Sequence, residues 1–328
     1  MRTNRFMTGA LAAAMALMAM TVLAQVSVDP ALTTYAQVQG VSGSLKSVGS
    51  DTMNNTMALW AEGFLGMYPN VRIEIEGKGS STAPPALIAG SSQFGPMSRQ
   101  MKAAEVDEFE SKYGYPPTSL PAAIDMLAVY ANKDNPICAT GLTLQQVDAI
   151  FSTNRLLGHE SDIRTWGQAG VTDGAWADQP ISLYGRNSAS GTYGYFKKSV
   201  LGNGDYKPSV KEQPGSSSVV QGVASDAPGI GYSAIGYLTA DVCAVPVAHD
   251  AWSDPIPATA EYAYTGEYPL SRFLYVYVNH RPGSDLDPLR REFVRYMFST
   301  EGQEDVIKDG YYPITNQIAS EAMEALGI

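Results

Sequence analysis

An α/β fold is predicted by three observations. From Leu45 onward, short apolar runs alternate with runs of helical period. Three of these runs end in Gly/Ser/Thr turns that lead into helix-like segments. The 328 residues, 45% of them hydrophobic, suffice for about two domains with real cores. Such alternation favours a largely parallel sheet.

Each element has its own warrant. Residues 45–49 form an apolar run ending in glycine, a strand. Met53, Met57, Trp60, Phe64 and Met67 recur at spacings of 4, 3, 4 and 3, which places them on one face of a helix. Val71, Ile73 and Ile75 alternate with polar residues and predict a strand. The stretch 77–82 is a Gly/Ser/Thr turn before a short helix over 83–89. Val106, Phe109 and Tyr113 mark another helix, and 124–130 another strand. Thr143 caps a helix whose apolar face is Leu144, Val147, Ile150 and Phe151. Residues 152–180 are loop-rich, and 181–185 is a strand. Helices are expected from Gly191, with Phe196 and Val200 inward, and from Ser216, with Val219, Val220 and Val223 inward. Tyr232, 243–247 and 273–278 fall in strands. Leu289, Phe293, Tyr296 and Met297 mark the last long helix.

The N-terminus predicts export. Arg2 and Arg5 precede an uncharged run from Phe6 to Leu23, and Ala24 before Gln25 is a cleavage point, so residues 1–24 are expected to be a signal peptide. No cysteine follows the run, which disfavours a lipid anchor. Residues 25–40 read as a flexible lead-in. Loss of Arg2 and Arg5 leaves 20 basic against 33 acidic side chains, a net charge of −13 against −11 for the whole chain. That balance argues against a nucleic-acid binder working by bulk charge. Two cysteines and three histidines cannot build a Cys-rich zinc module. His159, His249 and His280 show no ligand spacing and read as surface histidines, so no metal and no cofactor are expected.

The turns carry the functional signal. They are Gly49-Ser50-Asp51-Thr52, Gly79-Ser80-Ser81-Thr82 and Ser188-Ala189-Ser190-Gly191-Thr192, the last preceded by Arg186. A helix N-terminus has unpaired backbone N–H groups and about half a positive charge. Glycine admits close backbone approach, and a hydroxyl adds a donor, so such turns can hold an anion. One turn alone is an ordinary cap. Three, with a guanidinium, favour a ligand. The chain is acidic, so capture has to be local, and a buried oxyanion needs every oxygen hydrogen-bonded. Arginine supplies a rigid fork of donors for that task.

At these residues the chain resembles the periplasmic phosphate-binding proteins of ABC-type phosphate importers, the PstS family, over roughly 45–315. The strongest stretch is ISLYGRNSASGT over 181–192, similar to the family's Arg-x-x-x-Ser-Gly-Thr phosphate loop, followed by SSVVQGVASDAPGIGY over 217–232. Carried over, the resemblance implies phosphate contacts by Thr52, Met53, Ser80, Arg186, Ser190, Gly191 and Thr192. One departure stands out. After a Phe-Gly pair the family has an Asp that accepts a hydrogen bond from the protonated ligand, whereas Gln93-Phe94-Gly95-Pro96-Met97-Ser98-Arg99 offers Ser98 there. A serine hydroxyl both accepts and donates, so selectivity against sulfate is left open by Ser98, and Asp51 in the first turn either supplies the missing carboxylate as acceptor of the ligand's proton or caps its helix.

The resemblance further implies the two-lobed periplasmic binding protein fold, two α/β domains joined by two crossing hinge segments. Lobe 1 would be 41–130 and 246–328, and lobe 2 131–245. Cys138 and Cys243 flank the crossings, and a Cys138–Cys243 disulfide is expected. The implied function is non-enzymatic: capture of inorganic phosphate in the periplasm, or also outside the cell, and delivery to an inner-membrane ABC permease by a monomer. Two alternatives stand beside it. One is another tetrahedral oxyanion such as sulfate, arsenate, tungstate or molybdate. The other is a secreted phosphatase-like hydrolase, against which no GxSxG elbow is present.

Overall fold

The computed structural model describes residues 26–328; the expected signal peptide at 1–24 lies outside them. The strands are β1 (Gly43–Gly49), β2 (Val71–Gly77), β3 (Phe94–Met97), β4 (Thr118–Asn132), β5 (Leu142–Thr143), β6 (Ser182–Arg186), β7 (Lys211–Gln213), β8 (Gly229–Ala234), β9 (Val242–Val245), β10 (Val247–Ala248) and β11 (Ser271–Val278). One curled sheet runs β2-β1-β3-β11-β4-β8-β6-β7, with β9 also on β4, and β5 pairs with β10 apart from it.

The sheet is mixed rather than largely parallel. β1 with β2 and β3, and β6 with β7 and β8, are parallel. β3–β11, β11–β4, β4–β8 and β4–β9 are antiparallel. The cause is the connectivity. β4 and β11 stand in the middle of the sheet and run against each other and against their other neighbours. β4 pairs with β11 over Thr118–Met126 and with β8 from Leu127, so a single strand of 15 residues belongs to both halves. Val247 and Ala248 pair with Leu142 and Thr143, and Ile256 pairs with Val247.

The helix Asn54–Met67 follows β1 and buries Met57, Trp60 and Phe64. The Trp60 indole donates to the Gly302 carbonyl at 2.7 Å. Thr143 caps the helix Leu144–Phe151 by accepting from the Gln146 amide. Two shorter helices, Thr300–Lys308 and Asn316–Glu324, follow the helix Pro288–Met297. The lead-in, expected to be flexible, is fixed over its described part. Leu32 is buried, the Tyr35 amide donates to Glu301, and the Tyr35 ring meets Phe64, Tyr68 and Tyr296. Aromatic burial fixes a segment that lacks regular structure of its own.

Cys138 and Cys243 form a disulfide with Cα atoms 5.9 Å apart. It ties the short helix Ile137–Thr140 to β9, which lies beside β4. Among the described residues no helix is long and apolar enough to cross a membrane.

Candidate anion site

The site lies where the two halves of the sheet face each other. β1 ends at Gly49, whose backbone rests on Pro96: a Cβ there would sit 2.2 Å from the Pro96 carbonyl oxygen. The Ser50 amide donates to that carbonyl at 2.8 Å, and the Gly79 amide donates to the Gly49 carbonyl at 2.8 Å. The first turn, the second turn and the end of β3 thereby form one surface. The third turn closes on it from the other half. The Ser81 amide donates to the Ala189 carbonyl at 3.1 Å, and Gly79 has a φ of +111° that suits glycine alone. Gly191 comes closest: a Cβ there would meet Ser80 Oγ at 2.3 Å and Ser98 Oγ at 2.6 Å.

Four hydroxyls gather at this contact. Thr52 Oγ1 lies 3.0 Å from Thr192 Oγ1, Ser98 Oγ lies 3.4 Å from Thr192 Oγ1, and Ser80 Oγ lies 3.3 Å from Ser98 Oγ. The Ser98 amide donates to Ser80 Oγ at 3.0 Å. All four residues are buried, as is Met53. The backbone amides of Thr52, Met53, Ser80 and Gly191 make no hydrogen bond to protein among the described residues. Buried amides are rarely left so. Ser190 is different. Its hydroxyl accepts from the Thr192 and Tyr193 amides, so it caps the helix Gly191–Ser199.

Arg186, at the end of β6, is 1% exposed. Its Nη1 donates to Ser216 Oγ at 2.6 Å, and Nη2 lies 3.1 Å from Asp51 Oδ2. Its Nε is buried without a partner. Burial pushes the Arg186 pKa down from its ordinary value, and the Asp51 charge opposes this. Asp51 Oδ2 also accepts from the Ser216 amide at 2.8 Å, the N-terminus of the helix Ser216–Ser225, while Oδ1 has no hydrogen-bond partner among the described residues. Tyr237 and Tyr311 steady the first turn by donating to the carbonyls of Asp51 and Thr52.

Three side chains that no motif marked as functional join the site: Ser216, expected only as a helix start, Asp125 and Arg272. Asp125 in β4 and Arg272 in β11 face each other across the ladder and are joined by two bonds of 2.8 and 2.7 Å to Asp125 Oδ2. Burial pushes the Asp125 pKa up, and Arg272 opposes it. Each is the lone charge in an otherwise uncharged strand, a signal that was available. His280, expected at the surface, is buried and bonds the Ser284 carbonyl. Among the described residues no group of three or more His, Cys, Asp or Glu is arranged to hold a metal.

A family model described as a PBP superfamily domain matches residues 34–301. The phosphate-binding protein PstS of Pseudomonas aeruginosa is 53% identical over 92% of this chain and 93% of its own. PstS of Bacillus subtilis is 28% identical over 84% of this chain and 82% of its own. Among solved structures, a putative phosphate ABC transporter substrate-binding protein with bound phosphate from Clostridium perfringens superposes with a TM-score of 0.69. It is 25% identical and covers 83% of this chain and 100% of its own.

Proposed function

Since the chain belongs to the PBP superfamily and, within it, to the PstS phosphate-binding proteins, we propose that it binds inorganic phosphate between its two lobes and delivers it to an ABC-type import permease. The single observation that carries this reading is the set of buried, unpartnered amides of Thr52, Met53, Ser80 and Gly191 around the hydroxyls of Thr52, Ser80, Ser98 and Thr192. A tetrahedral dianion stripped of water needs donors on every oxygen. These groups, with Arg186, supply them without a basic surface. The amides come from both halves, so ion binding and lobe closure favour each other, as in hinge-closing receptors.

Asp51 is the acceptor of the ligand's proton in this reading. Of the two carboxylates beside the site, Asp125 uses Oδ2 on Arg272 and Oδ1 on the Ile235 amide, whereas Asp51 Oδ1 has no hydrogen-bond partner among the described residues. An acceptor facing a fully ionised oxygen is left unpaired, so Asp51 disfavours sulfate. Ser190 acts by capping its helix, and Ser98 gives a hydroxyl where the resemblance leads one to expect a carboxylate. That hydroxyl favours, as a second reading, a site open to other tetrahedral oxyanions.

Export to the periplasm, work as a monomer without nucleic acid, and the absence of catalysis complete the proposal. Titration calorimetry with phosphate, arsenate and sulfate tests it. Phosphate should bind more tightly than sulfate. Heat from another anion and none from phosphate would end the phosphate assignment. Turnover of p-nitrophenyl phosphate would move the reading to a hydrolase.

A further inference from the structure

We propose that Arg272 is a positioning residue of the anion site, which fixes the Thr192 hydroxyl as a donor toward the ligand. The inference deepens the phosphate reading and rests on it. Arg272 Nε and Nη2 both bond Asp125 Oδ2, and Asp125 Oδ1 accepts from the Ile235 amide at 3.1 Å. The guanidinium is therefore fixed in its plane, and the Tyr195 ring lies 5.0 Å from its centre. Two further bonds leave it. Nη1 donates to the Ser98 carbonyl at 2.8 Å, and Nη2 donates to Thr192 Oγ1 at 2.9 Å. The side chain is 3% exposed and that of Asp125 fully buried.

Hydroxyl arithmetic gives the consequence. A threonine hydroxyl has one proton and two acceptor positions, and arginine only donates. With one lone pair taken by Arg272, the Thr192 proton has to point elsewhere. Its other neighbours are Thr52 Oγ1 and Ser98 Oγ, the hydroxyls of the site. Thr192 thus presents its proton to the ion. The Ser98 carbonyl, held by the same guanidinium, keeps the end of β3 against the third turn. Arg272 is not a direct ligand in this account and acts through Thr192.

A double-mutant cycle tests it. Arg272→Lys, Thr192→Val and the double variant are titrated with phosphate, arsenate and sulfate at pH 6 and pH 8. The cycle is evaluated on whichever anion the parent binds best. Each single variant should lose about tenfold or more in affinity. The double variant should bind within about threefold of the weaker single, because both changes remove the same oriented donor. Loss of that donor should weaken binding more at pH 8, where phosphate is doubly charged, than at pH 6. Multiplying losses, or a parent-like Arg272→Lys, would overturn the inference. If Arg272→Lys fails to fold, Asp125→Asn with Arg272→Met removes the pair without leaving a buried charge, and the same cycle with Thr192→Val decides. A parent that prefers sulfate would end the phosphate reading alone, because the coupling between positions 272 and 192 is still read on sulfate.

Discussion

Asp51 Oδ2 lies 3.1 Å from Arg186 Nη2 and so joins the first turn of one half of the molecule to the end of β6 in the other. The pair places a guanidinium beside the anion site and keeps its charge balanced in a chain with a net charge of −11. A ligand that arrives there finds a guanidinium already held in place, with its Nε without a partner.

Arg186→Ala should lower phosphate affinity by roughly 2–5 kcal/mol, the cost of removing one side of a desolvated charge contact. Arg186→Lys should recover little of it, because a point charge cannot replace the fork. Calorimetry checks both. An affinity close to that of the parent would remove Arg186 from the site.

Asp51→Asn should narrow the preference for phosphate over sulfate, since it removes the carboxylate that meets the ligand's proton. Competition titrations of the two anions read the ratio. An unchanged ratio would shift the proton-reading role to Ser98.

Gly191→Ala sets a methyl group against Ser80 Oγ and Ser98 Oγ at 2.3 and 2.6 Å. The clash lies between the halves rather than inside either, so folding should survive while closure suffers. The expected loss of affinity is about 1–3 kcal/mol, as for other overpacked contacts, with a melting temperature near the parent's when no ligand is present. A large drop in unliganded stability would contradict this placement.

Asp309 is pushed up by burial to about 6 from an ordinary 3.8. The raised value means that the folded chain favours the protonated acid. The contribution to stability is present below pH 3.8 and is lost as pH rises through about 6. Asp309→Asn, uncharged throughout, should therefore gain roughly 1–3 kcal/mol over the parent at pH 8 and little at pH 4. Thermal melts across that range measure the gain. An equal gain at both ends would show that the effect is not one of charge.

Loss of the 138–243 disulfide should cost about 2–4 kcal/mol of stability. The bond closes a loop across 105 residues at the end of β4 remote from Gly191. Cys138→Ser with Cys243→Ser should thus melt earlier yet bind phosphate nearly as the parent does.

The fold was legible where a local period is strong. The helix Asn54–Met67 shows its buried face in Met57, Trp60 and Phe64. β3 was not, because Phe94-Gly95-Pro96-Met97 is buried at all four positions and shows no alternation. The helices Thr300–Lys308 and Asn316–Glu324 have too few large apolar side chains to announce a face. Strand direction is not written in any single strand, so the antiparallel course of β4 and β11 emerges only from pairing. At the site, Gly, Ser and Thr at helix starts pointed to the three turns. Arg272 and Asp125 lie 147 residues apart, and only the fold brings the two charges together.

The most direct test of the account is a crystal structure of the protein grown with phosphate. The account predicts one phosphate between the halves, with its oxygens on the amides of Thr52, Met53, Ser80 and Gly191 and on Arg186. A phosphate held by other groups, or a cleft without one at saturating phosphate, would contradict it.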